Sequence, residues 1–407
     1  MAYLVSQYPA LTHTFILREI LALRSLGFQI DVIAIRGDHR PPESVTEQER
    51  QEHSRTVAVL PFGFDFVLAH LHTLLRYPSG YLAGLWLALT LGSGFRSSCF
   101  HLIYFLEAVV AGHIAVRRRH RYVHTHFSST VGLLAARVFG LRLSITIHGP
   151  DEFRDVVGFR MREKVAAACL VCTISQFARS QIMQVVDPRD WHKIRVCRLG
   201  VDTSLFVPVA APGLPPDTSP IRLISVGRLA PVKGLRILIS ACALAISRGV
   251  NLQLRLVGGG DDLAALRAHA ADCGMREQIV FEGPRNQDEV ISLFRQSQIF
   301  VMSSFAEGVP VSLMEAMAME LPCAATWVNG IPELITSGEE GILTAPSDVV
   351  ALAGVIERLV ADAGLRQRLG QEGRRKVLRD FNLQTNTETL AALFREQLAS
   401  PDEYSSR

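Results

Sequence analysis

Two acidic residues, Glu307 and Glu315, are separated by seven residues in the segment 303–315. The apolar run 298–302 that precedes them is typical of a buried parallel strand. Pro310 suits the first turn of a helix, where its missing N–H costs nothing. Glu307 is therefore predicted to lie in the loop at the carboxyl end of a strand, with Glu315 inside the helix that follows. Ligands of open α/β sheets bind at that edge.

The start of a helix can also hold an anion. Its first backbone N–H groups have no partner within the helix, and the positive end of the helix dipole lies there. Gly308, Val309 and Pro310 are predicted to shape this loop, so that nearby backbone amides hold a phosphate or a sugar. Acidic side chains beside such an anion-binding helix start can accept hydrogen bonds from the hydroxyl groups of a sugar. The alternatives are ordinary loop solvation for Glu307 and a helix surface charge for Glu315.

A second loop carries two cations. The strand pattern 221–226 is followed directly by Gly227 and Arg228, and Lys233 stands five residues later. Gly227 lets the backbone approach a ligand, Arg228 offers a planar fork to phosphate oxygens, and Lys233 adds a point charge. A pair of solvated surface cations is the alternative, which the flanking glycines and the strand edge disfavour. The glycine run 258–260 after another strand is weak evidence by itself.

Together these motifs resemble the retaining glycosyltransferases of family 4, also called glycosyltransferase group 1. The resemblance implies an α/β protein of the GT-B fold, with two Rossmann-like domains facing each other across a cleft. Similar segments cover nearly all of the chain, and their joint order is more specific than any one of them. The segments are 146–149, 193–202, 227–234, 281–283, 307–318 and 330–335. Residues 8–9, 14–20 and 124–127 resemble the branch that builds bacterial exopolysaccharides such as colanic acid.

The resemblance implies a role for each matching residue. Arg228 and Lys233 would clamp the pyrophosphate of a nucleotide sugar, Glu307 would lie at the donor sugar, and Glu315 would bind the ribose. His148, at the end of the predicted strand 143–147, would reach the donor sugar from the other domain. The implied catalytic residues are Glu307, Arg228, Lys233 and His148. The implied donor-binding residues are Gly227, Arg228, Lys233, Gly283, Gly308, Val309, Pro310 and Glu315.

His124 and His126 are two residues apart, so they point to one face of a predicted strand. Metal ligation is one interpretation, but the sequence identifies no third ligand. A structural or acceptor-side role is therefore favoured. We expect no metal and no cofactor, because two cations replace the metal in the implied scheme.

Bulk composition narrows the function classes. A chain of 407 residues exceeds the size at which one core keeps growing, so two domains are expected. The net charge of +3, without a long basic run, argues against a nucleic-acid partner. Seven cysteines form no even framework, and polar residues as early as Ser6 and Gln7 lead us to expect no signal peptide. We therefore expect a cytoplasmic protein, with peripheral contact to the inner face of the membrane as a further expectation.

Strand and helix patterns alternate along the chain, which predicts parallel sheets covered by helices. The predicted parts are an N-terminal acceptor-side domain over 1–206, a proline-rich linker over 207–220, a nucleotide-sugar-binding domain over 221–380 and a C-terminal helix over 381–407 that the resemblance places against the first domain. The polar segment 37–55 is predicted to be a loop. Segment 62–115 is rich in apolar residues and predicts helices that either lie on a membrane or pack in the domain. Its longest apolar run, Tyr81 to Leu91, is shorter than the ~20 residues of a spanning helix.

The resulting prediction is a hexosyltransferase that acts with retention. It would move a sugar from a UDP- or GDP-sugar to a glycan or lipid-linked glycan in the synthesis of bacterial exopolysaccharide. A GT-B phosphorylase or epimerase acting on sugar phosphates is one alternative. Another is a catalytically silent nucleotide-binding subunit of a membrane glycan synthase. The presence of the two cations and the two acids together argues against a silent subunit.

Overall fold

A computed structural model describes residues 1–10, 14–38, 40, 45–92, 94–208 and 220–399. The chain forms two compact units. Unit 1 comprises Met1–Cys197 and Thr387–Arg407, and unit 2 comprises Arg198–Asn386. Most of the predicted linker 207–220 lies outside the described residues, as do residues 400–407.

Unit 1 contains a seven-stranded parallel sheet in the order β3-β2-β1-β4-β5-β6-β7. Its strands are rich in Val, Ile and Leu because helices cover both faces of the sheet. The strands are β1 (Ala2–Gln7), β2 (Asp31–Arg36), β3 (Val57–Leu60), β4 (Tyr122–His126), β5 (Arg142–Ile147), β6 (Leu170–Thr173) and β7 (Ile194–Val196). The helices are α1 (Thr14–Ser25), α2 (Glu47–Arg55), α3 (Phe64–Arg76), α4 (Pro78–Leu91), α5 (Phe95–Arg117), α6 (Ser129–Phe139), α7 (Pro150–Arg154), α8 (Met161–Ala167) and α9 (Gln176–Met183), followed by a 3-10 helix, Pro188–Lys193.

Unit 2 contains a six-stranded parallel sheet in the order β10-β9-β8-β11-β12-β13. The strands are β8 (Ile221–Val226), β9 (Leu252–Val257), β10 (Ile279–Gly283), β11 (Ile299–Met302), β12 (Cys323–Thr326) and β13 (Ile342–Thr344). The helices are α10 (Leu235–Ser247), α11 (Leu263–Asp272), α12 (Gln287–Arg295), α13 (Val311–Ala318), α14 (Ile331–Leu334), α15 (Val349–Ala361) and α16 (Ala363–Asp380). The last helix, α17 (Leu383–Ala399), begins in unit 2 and belongs to unit 1 from Thr387 onward. A 3-10 helix, Pro231–Lys233, follows β8. In both sheets the strand order reverses beside the first strand, at β1/β4 and β8/β11, which is where open sheets bind ligands.

The predicted loop over 37–55 is wrong, because α2 occupies its second half. Thr46 begins this helix with a capping box, in which its hydroxyl accepts from Glu49 N and the Glu49 carboxylate accepts from Thr46 N at 2.9 Å. The polar composition predicted a solvated loop. In the structure, charged side chains of this helix are paired with other charged side chains, so a polar segment forms a helix here. Arg40 contacts Glu49 at 2.7 Å, and Arg24 contacts the buried Glu52 at 2.5 Å.

Helix α5, with 23 residues, is long and apolar enough to cross a membrane by length and composition. Half of its most apolar stretch is buried inside unit 1, including Phe105, Ala108 and Val109. A core helix of a globular domain can have the same length and apolar composition. The sequence predicted helices over 62–115 but indicated none of spanning length there, because Arg96, His101 and Glu107 interrupt the apolar residues of α5.

Lys164 on α8 is almost wholly buried, and its Nζ lies 3.4 Å from the centroid of the Phe159 ring. Burial lowers the pKa of Lys164 to about 7, although the charges of Glu152 and Glu163 oppose that shift. In the unfolded chain the lysine keeps its proton up to a pH of ~10.4. Between these two values the unfolded state binds more protons, so stability rises with pH.

We therefore expect the free energy of unfolding of Lys164→Met to be about 2–4 kcal/mol higher than that of wild type near pH 6, where the folded wild-type protein carries the buried charge. The difference should shrink steadily towards pH 10. Urea unfolding at four pH values checks this expectation. Lys376→Met is the control, because Lys376 pairs with Asp380 on α16. A difference between Lys164→Met and wild type that does not change with pH would contradict the assignment.

Candidate active site

The loops after β8 and β11 meet in unit 2, because these two strands are hydrogen-bonded neighbours. Lys233, at the end of the 3-10 helix after β8, donates from Nζ to Glu307 Oε1 at 2.7 Å. Glu307 is buried in the loop after β11, whereas Lys233 is half-buried. The structure thus places one predicted cation in direct contact with one predicted acid.

Two serines that directly follow β11 hold this arrangement. Ser304 Oγ donates to Glu307 Oε1 at 2.6 Å. Ser303 Oγ donates to the carbonyl of Gly234 at 2.9 Å, which fastens the loop after β11 to the loop after β8. Sequence reasoning gave these serines no role. The available signal was their position, since hydroxyl side chains directly after a buried apolar strand lie at the ligand-binding edge of a parallel sheet.

The glycine loops after β8, β9 and β10 are bound to one another through their backbones. Gly258 N donates to the carbonyl of Gly283 at 2.9 Å, and Leu229 N donates to the carbonyl of Gly259 at 2.8 Å. Gly258 has a φ of +137°, and a Cβ there would lie 1.9 Å from the carbonyl oxygen of Gly227. The glycine run 258–260 therefore supports the turn that carries Arg228.

Arg228 is exposed at the mouth of a small recess in unit 2. Its polar lining includes Gly227, Arg228, Lys233, Ser303 and Ser304. Two cationic side chains, two hydroxyl groups and a glycine backbone thus converge at the carboxyl edge of the sheet. Such a set is suited to phosphate oxygens.

Helix α13 begins at this same edge. Ser312 Oγ donates to the carbonyl of Val226 at 2.9 Å and so ties the first turn of the helix to the end of β8. Pro310 precedes the helix as its cap, one position earlier than predicted. Glu315 lies inside α13 and is buried, and Val309 in the preceding loop is also buried. The structure therefore places both predicted acids on the elements that the sequence indicated.

His148 follows β5 in unit 1, as predicted, and its side chain is buried. Its ring is stacked on Phe127, with 4.5 Å between the ring centroids. Its backbone N donates to Glu152 Oε2 at 2.6 Å. Its Nε2 lies 2.8 Å from His126 Nδ1. His148 is therefore one end of a chain of buried imidazoles.

The sequence identified no third group near His124 and His126, and the structure corrects this point. Glu19 on α1 lies with its Oε1 3.1 Å from His126 Nε2, and His126 Nε2 lies 3.0 Å from His124 Nε2. Glu19 stands among Ile16, Leu17 and Ile20 on the buried face of α1. An acid on the apolar face of a helix was the available signal. Burial, with His126 and His148 nearby, lowers the pKa of His124 well below its usual value.

Residues 211–376 match the protein family described as glycosyl transferases group 1. Two curated bacterial relatives align along almost the whole chain. One is WcaL of Escherichia coli K12, provisionally named a colanic acid biosynthesis glycosyltransferase, with 28% identity over 97% of this chain and 98% of its own. The other is the amylovoran biosynthesis glycosyltransferase AmsK of Erwinia amylovora, with 26% identity over 98% of this chain and 100% of its own.

Solved structures share the fold. Sucrose-phosphate synthase of Thermosynechococcus elongatus superposes with a TM-score of 0.75 at 21% identity, covering 98% of this chain and 99% of that one. HepE of Anabaena, solved in complex with UDP and glucose, superposes with a TM-score of 0.73 at 17% identity, covering 97% and 99%. These similarities and the two parallel sheets confirm the predicted GT-B fold. The chain is a glycosyltransferase of the GT-B fold that carries a glycosyl transferases group 1 domain.

Proposed function

We propose that this enzyme transfers a sugar, with retention of its anomeric configuration as in family 4, from a UDP- or GDP-sugar to a glycan or lipid-linked glycan during exopolysaccharide synthesis. The observation that carries the proposal is the contact of Lys233 with Glu307 at the carboxyl edge of the unit 2 sheet, beside Arg228. The alignment with exopolysaccharide glycosyltransferases along the whole chain supports the acceptor class. UDP bound to a protein of the same fold supports the donor class.

The donor is proposed to bind in the recess of unit 2. Arg228 and Lys233 bind the two phosphates, and Glu315 binds the ribose hydroxyls. Backbone amides around Gly308 and the start of α13 bind the sugar or its phosphate. Glu307 lies at the donor sugar. Lys233 must then exchange part of its contact with Glu307 for a phosphate oxygen, so the free enzyme holds the cation in place before the donor arrives.

The proposed step breaks the bond between the anomeric carbon and the phosphate oxygen, and the acceptor hydroxyl forms a new bond on the same face. The leaving phosphate takes the proton of that hydroxyl, and Arg228 and Lys233 stabilise its charge. Glu307 accepts from both Lys233 and Ser304, which makes its carboxylate a poor nucleophile. The two cations act in place of a metal ion in this step. His148 is proposed as a further catalytic residue, contributed by unit 1.

Titration calorimetry with UDP and GDP tests the donor assignment. We expect micromolar binding of one nucleotide and its loss in the double variant Arg228→Ala, Lys233→Ala. NMR of the product formed from the matching nucleotide sugar then gives the anomeric configuration. A product of inverted configuration would contradict retention. A reaction that requires inorganic phosphate would favour a phosphorylase.

Glu307→Gln separates binding from turnover. The amide keeps the shape of the side chain but removes the charge that competes with phosphate for Lys233. We expect nucleotide affinity to rise several-fold while kcat falls about 100-fold, since the charge at the donor sugar is lost. Calorimetry and initial rates measure the two effects. Lower affinity together with lower kcat would mean that Glu307 mainly positions Lys233.

A surface on α3, α4 and α5 is proposed to contact the membrane that holds a lipid-linked acceptor. Large apolar side chains are exposed on all three helices. On soluble proteins such residues are usually scattered singly, so their number on three successive helices indicates a contact surface. Arg76 and Arg96 are exposed on the same helices and offer charge to anionic headgroups. This α3–α5 surface comprises Phe64, Val67, Leu68, Leu71, Leu74, Leu75, Leu82, Trp86, Leu89, Phe95, Phe100 and Ile103.

Vesicle sedimentation tests this surface. We expect wild type to bind vesicles of mixed phosphatidylglycerol and phosphatidylcholine, and Leu75→Asp, Trp86→Asp to lose at least about five-fold in bound fraction, because charge does not enter the bilayer interface. Trp327→Asp is the matched control, since Trp327 is 60% exposed in unit 2 and Trp86 is 69% exposed. Equal binding of both variants would contradict a membrane role. Sedimentation of wild type without vesicles would indicate self-association instead.

A further inference from the structure

The buried side chains around β4 in unit 1 form a set that the proposed transfer step does not use. Tyr3 on β1, His124 on β4 and Ser144 on β5 lie side by side in the register of the sheet, and His126 faces Thr146 in the same way. All five are buried, and the two histidines have no exposed surface. Helix α1 brings the Glu19 carboxylate onto this row.

We propose that Glu19, His124 and His126 bind a divalent transition-metal ion, with Zn²⁺ as the ion that this ligand set favours. Two imidazole nitrogens and a carboxylate oxygen are zinc ligands. In a tetrahedral site with bonds of ~2.0–2.1 Å, ligand atoms stand about 3.3 Å apart. Here the two Nε2 atoms are 3.0 Å apart, and His126 Nε2 is 3.1 Å from Glu19 Oε1. The three ligand atoms all lie within 4.8 Å of one another.

The outer contacts match those of a metal site as well. Ligand histidines in metal sites have their second nitrogen held by another polar group, and ligand carboxylates are hydrogen-bonded in turn. His124 Nδ1 lies 2.7 Å from Ser144 Oγ, and His126 Nδ1 lies 2.8 Å from His148 Nε2. Tyr3 donates to Glu19 Oε1 at 3.0 Å. Each of the three ligand side chains is thus held in its orientation by a contact with a second polar group.

A dication also resolves the electrostatics of the cluster. A buried carboxylate is costly unless a positive charge accompanies it. Thr146 Oγ1, 3.0 Å from His124 Nε2, is placed to supply the fourth ligand directly or through a water. Because the ligand histidines are closed off from solvent, the site is of the structural kind, in which the ion fastens α1 to β4.

An ion at this place has a consequence for His148. A metal on Nε2 of neutral His126 leaves the ring proton on Nδ1, so His126 donates to His148 Nε2. Neutral His148 then carries its own proton on Nδ1. Without the ion, His126 donates from Nε2 to Glu19 and accepts from His148, so the His148 proton sits on Nε2. The metal therefore sets the tautomer of a predicted catalytic histidine.

The test begins with elemental analysis of tag-free protein for Mn, Fe, Co, Ni, Cu and Zn. We expect about one equivalent of metal per chain, and at least a five-fold loss in Glu19→Gln and in His126→Asn. The double variant His72→Asn, His113→Asn is the matched control, because these two rings lie 4.9 Å apart on α3 and α5, outside the cluster. Glu19→Gln keeps the side-chain volume, so loss of metal there does not report misfolding.

Protein stripped with a chelator and titrated with Co²⁺ gives a second readout. We expect a visible absorption band that saturates at one equivalent, disappears on addition of Zn²⁺, and requires at least ten-fold more Co²⁺ in Ser144→Ala. Wild type without metal and without a saturable band would overturn the proposal. So would metal content equal to wild type in both ligand variants, or metal lost in the His72, His113 control. ¹⁵N spectra of the imidazoles then report whether the proton of His148 moves when the ion binds.

Discussion

Lys233→Ala is expected to lower kcat/KM by about 100-fold to 1,000-fold, the loss typical of removing one group that stabilises charge in the transition state. Lys233 Nζ already lies 2.7 Å from Glu307 in the free enzyme, so it needs little reorganisation to meet the departing phosphate. The substitution also removes the hydrogen bond from Lys233 to the buried Glu307 carboxylate, which keeps the hydrogen bond from Ser304. Steady-state kinetics with the nucleotide sugar chosen by calorimetry measure the effect.

The control for this variant is Lys376→Ala. The two lysines are comparably exposed, at 22% and 19% of their side chains, and each contacts one carboxylate in unit 2. We expect normal turnover in Lys376→Ala and an unchanged circular dichroism spectrum in both variants. Normal turnover in Lys233→Ala would remove the phosphate clamp from the mechanism. A restored rate in Lys233→Arg would show that charge matters more than shape.

The sequence alone was sufficient to predict the elements that carry the proposed donor site. β8 and β9 are strand patterns in which apolar residues predominate, β11 is a continuous apolar run, and turn residues follow all three, so their carboxyl ends could be located without a structure. The contact of Lys233 with Glu307 could not be located in this way, because it depends on β8 and β11 being neighbours. Strand order is set by how the crossover helices pack, and one sequence does not record it.

The cluster around Glu19 illustrates the same limit. His124 and His126 could be placed on one strand face from their spacing, but Glu19 approaches from α1, more than a hundred residues earlier in the chain. The prediction for the segment around α2 was wrong for a different reason. Its composition predicts solvation, yet long-range ion pairs such as Arg24 with Glu52 bury its charges. Tertiary pairing overrode the local signal at α2, whereas at Glu19 the sequence offered no sign of the long-range contact.

Gly258→Ala is expected to lower the free energy of unfolding by at least about 3 kcal/mol and to reduce nucleotide binding strongly. Two costs add at this position. The φ of +137° disfavours any side chain, and the new Cβ would lie 1.9 Å from the carbonyl oxygen of Gly227. Because Gly227 and Arg228 are backbone neighbours, relief of the clash displaces either the turn that presents the arginine or the glycine run that supports that turn. Urea unfolding and calorimetry measure both effects.

Gly249→Ala separates these two costs. Gly249 has a φ of +92°, but a Cβ there would meet nothing within 4 Å. We expect this variant to lose only about 1 kcal/mol, the price of a left-handed backbone, and to bind nucleotide normally. If Gly258→Ala lost no more stability than Gly249→Ala and kept its affinity, the glycine run would have no part in holding Arg228. A larger loss of both would mean that the loop after β9 positions the phosphate site although its own side chains offer no chemistry.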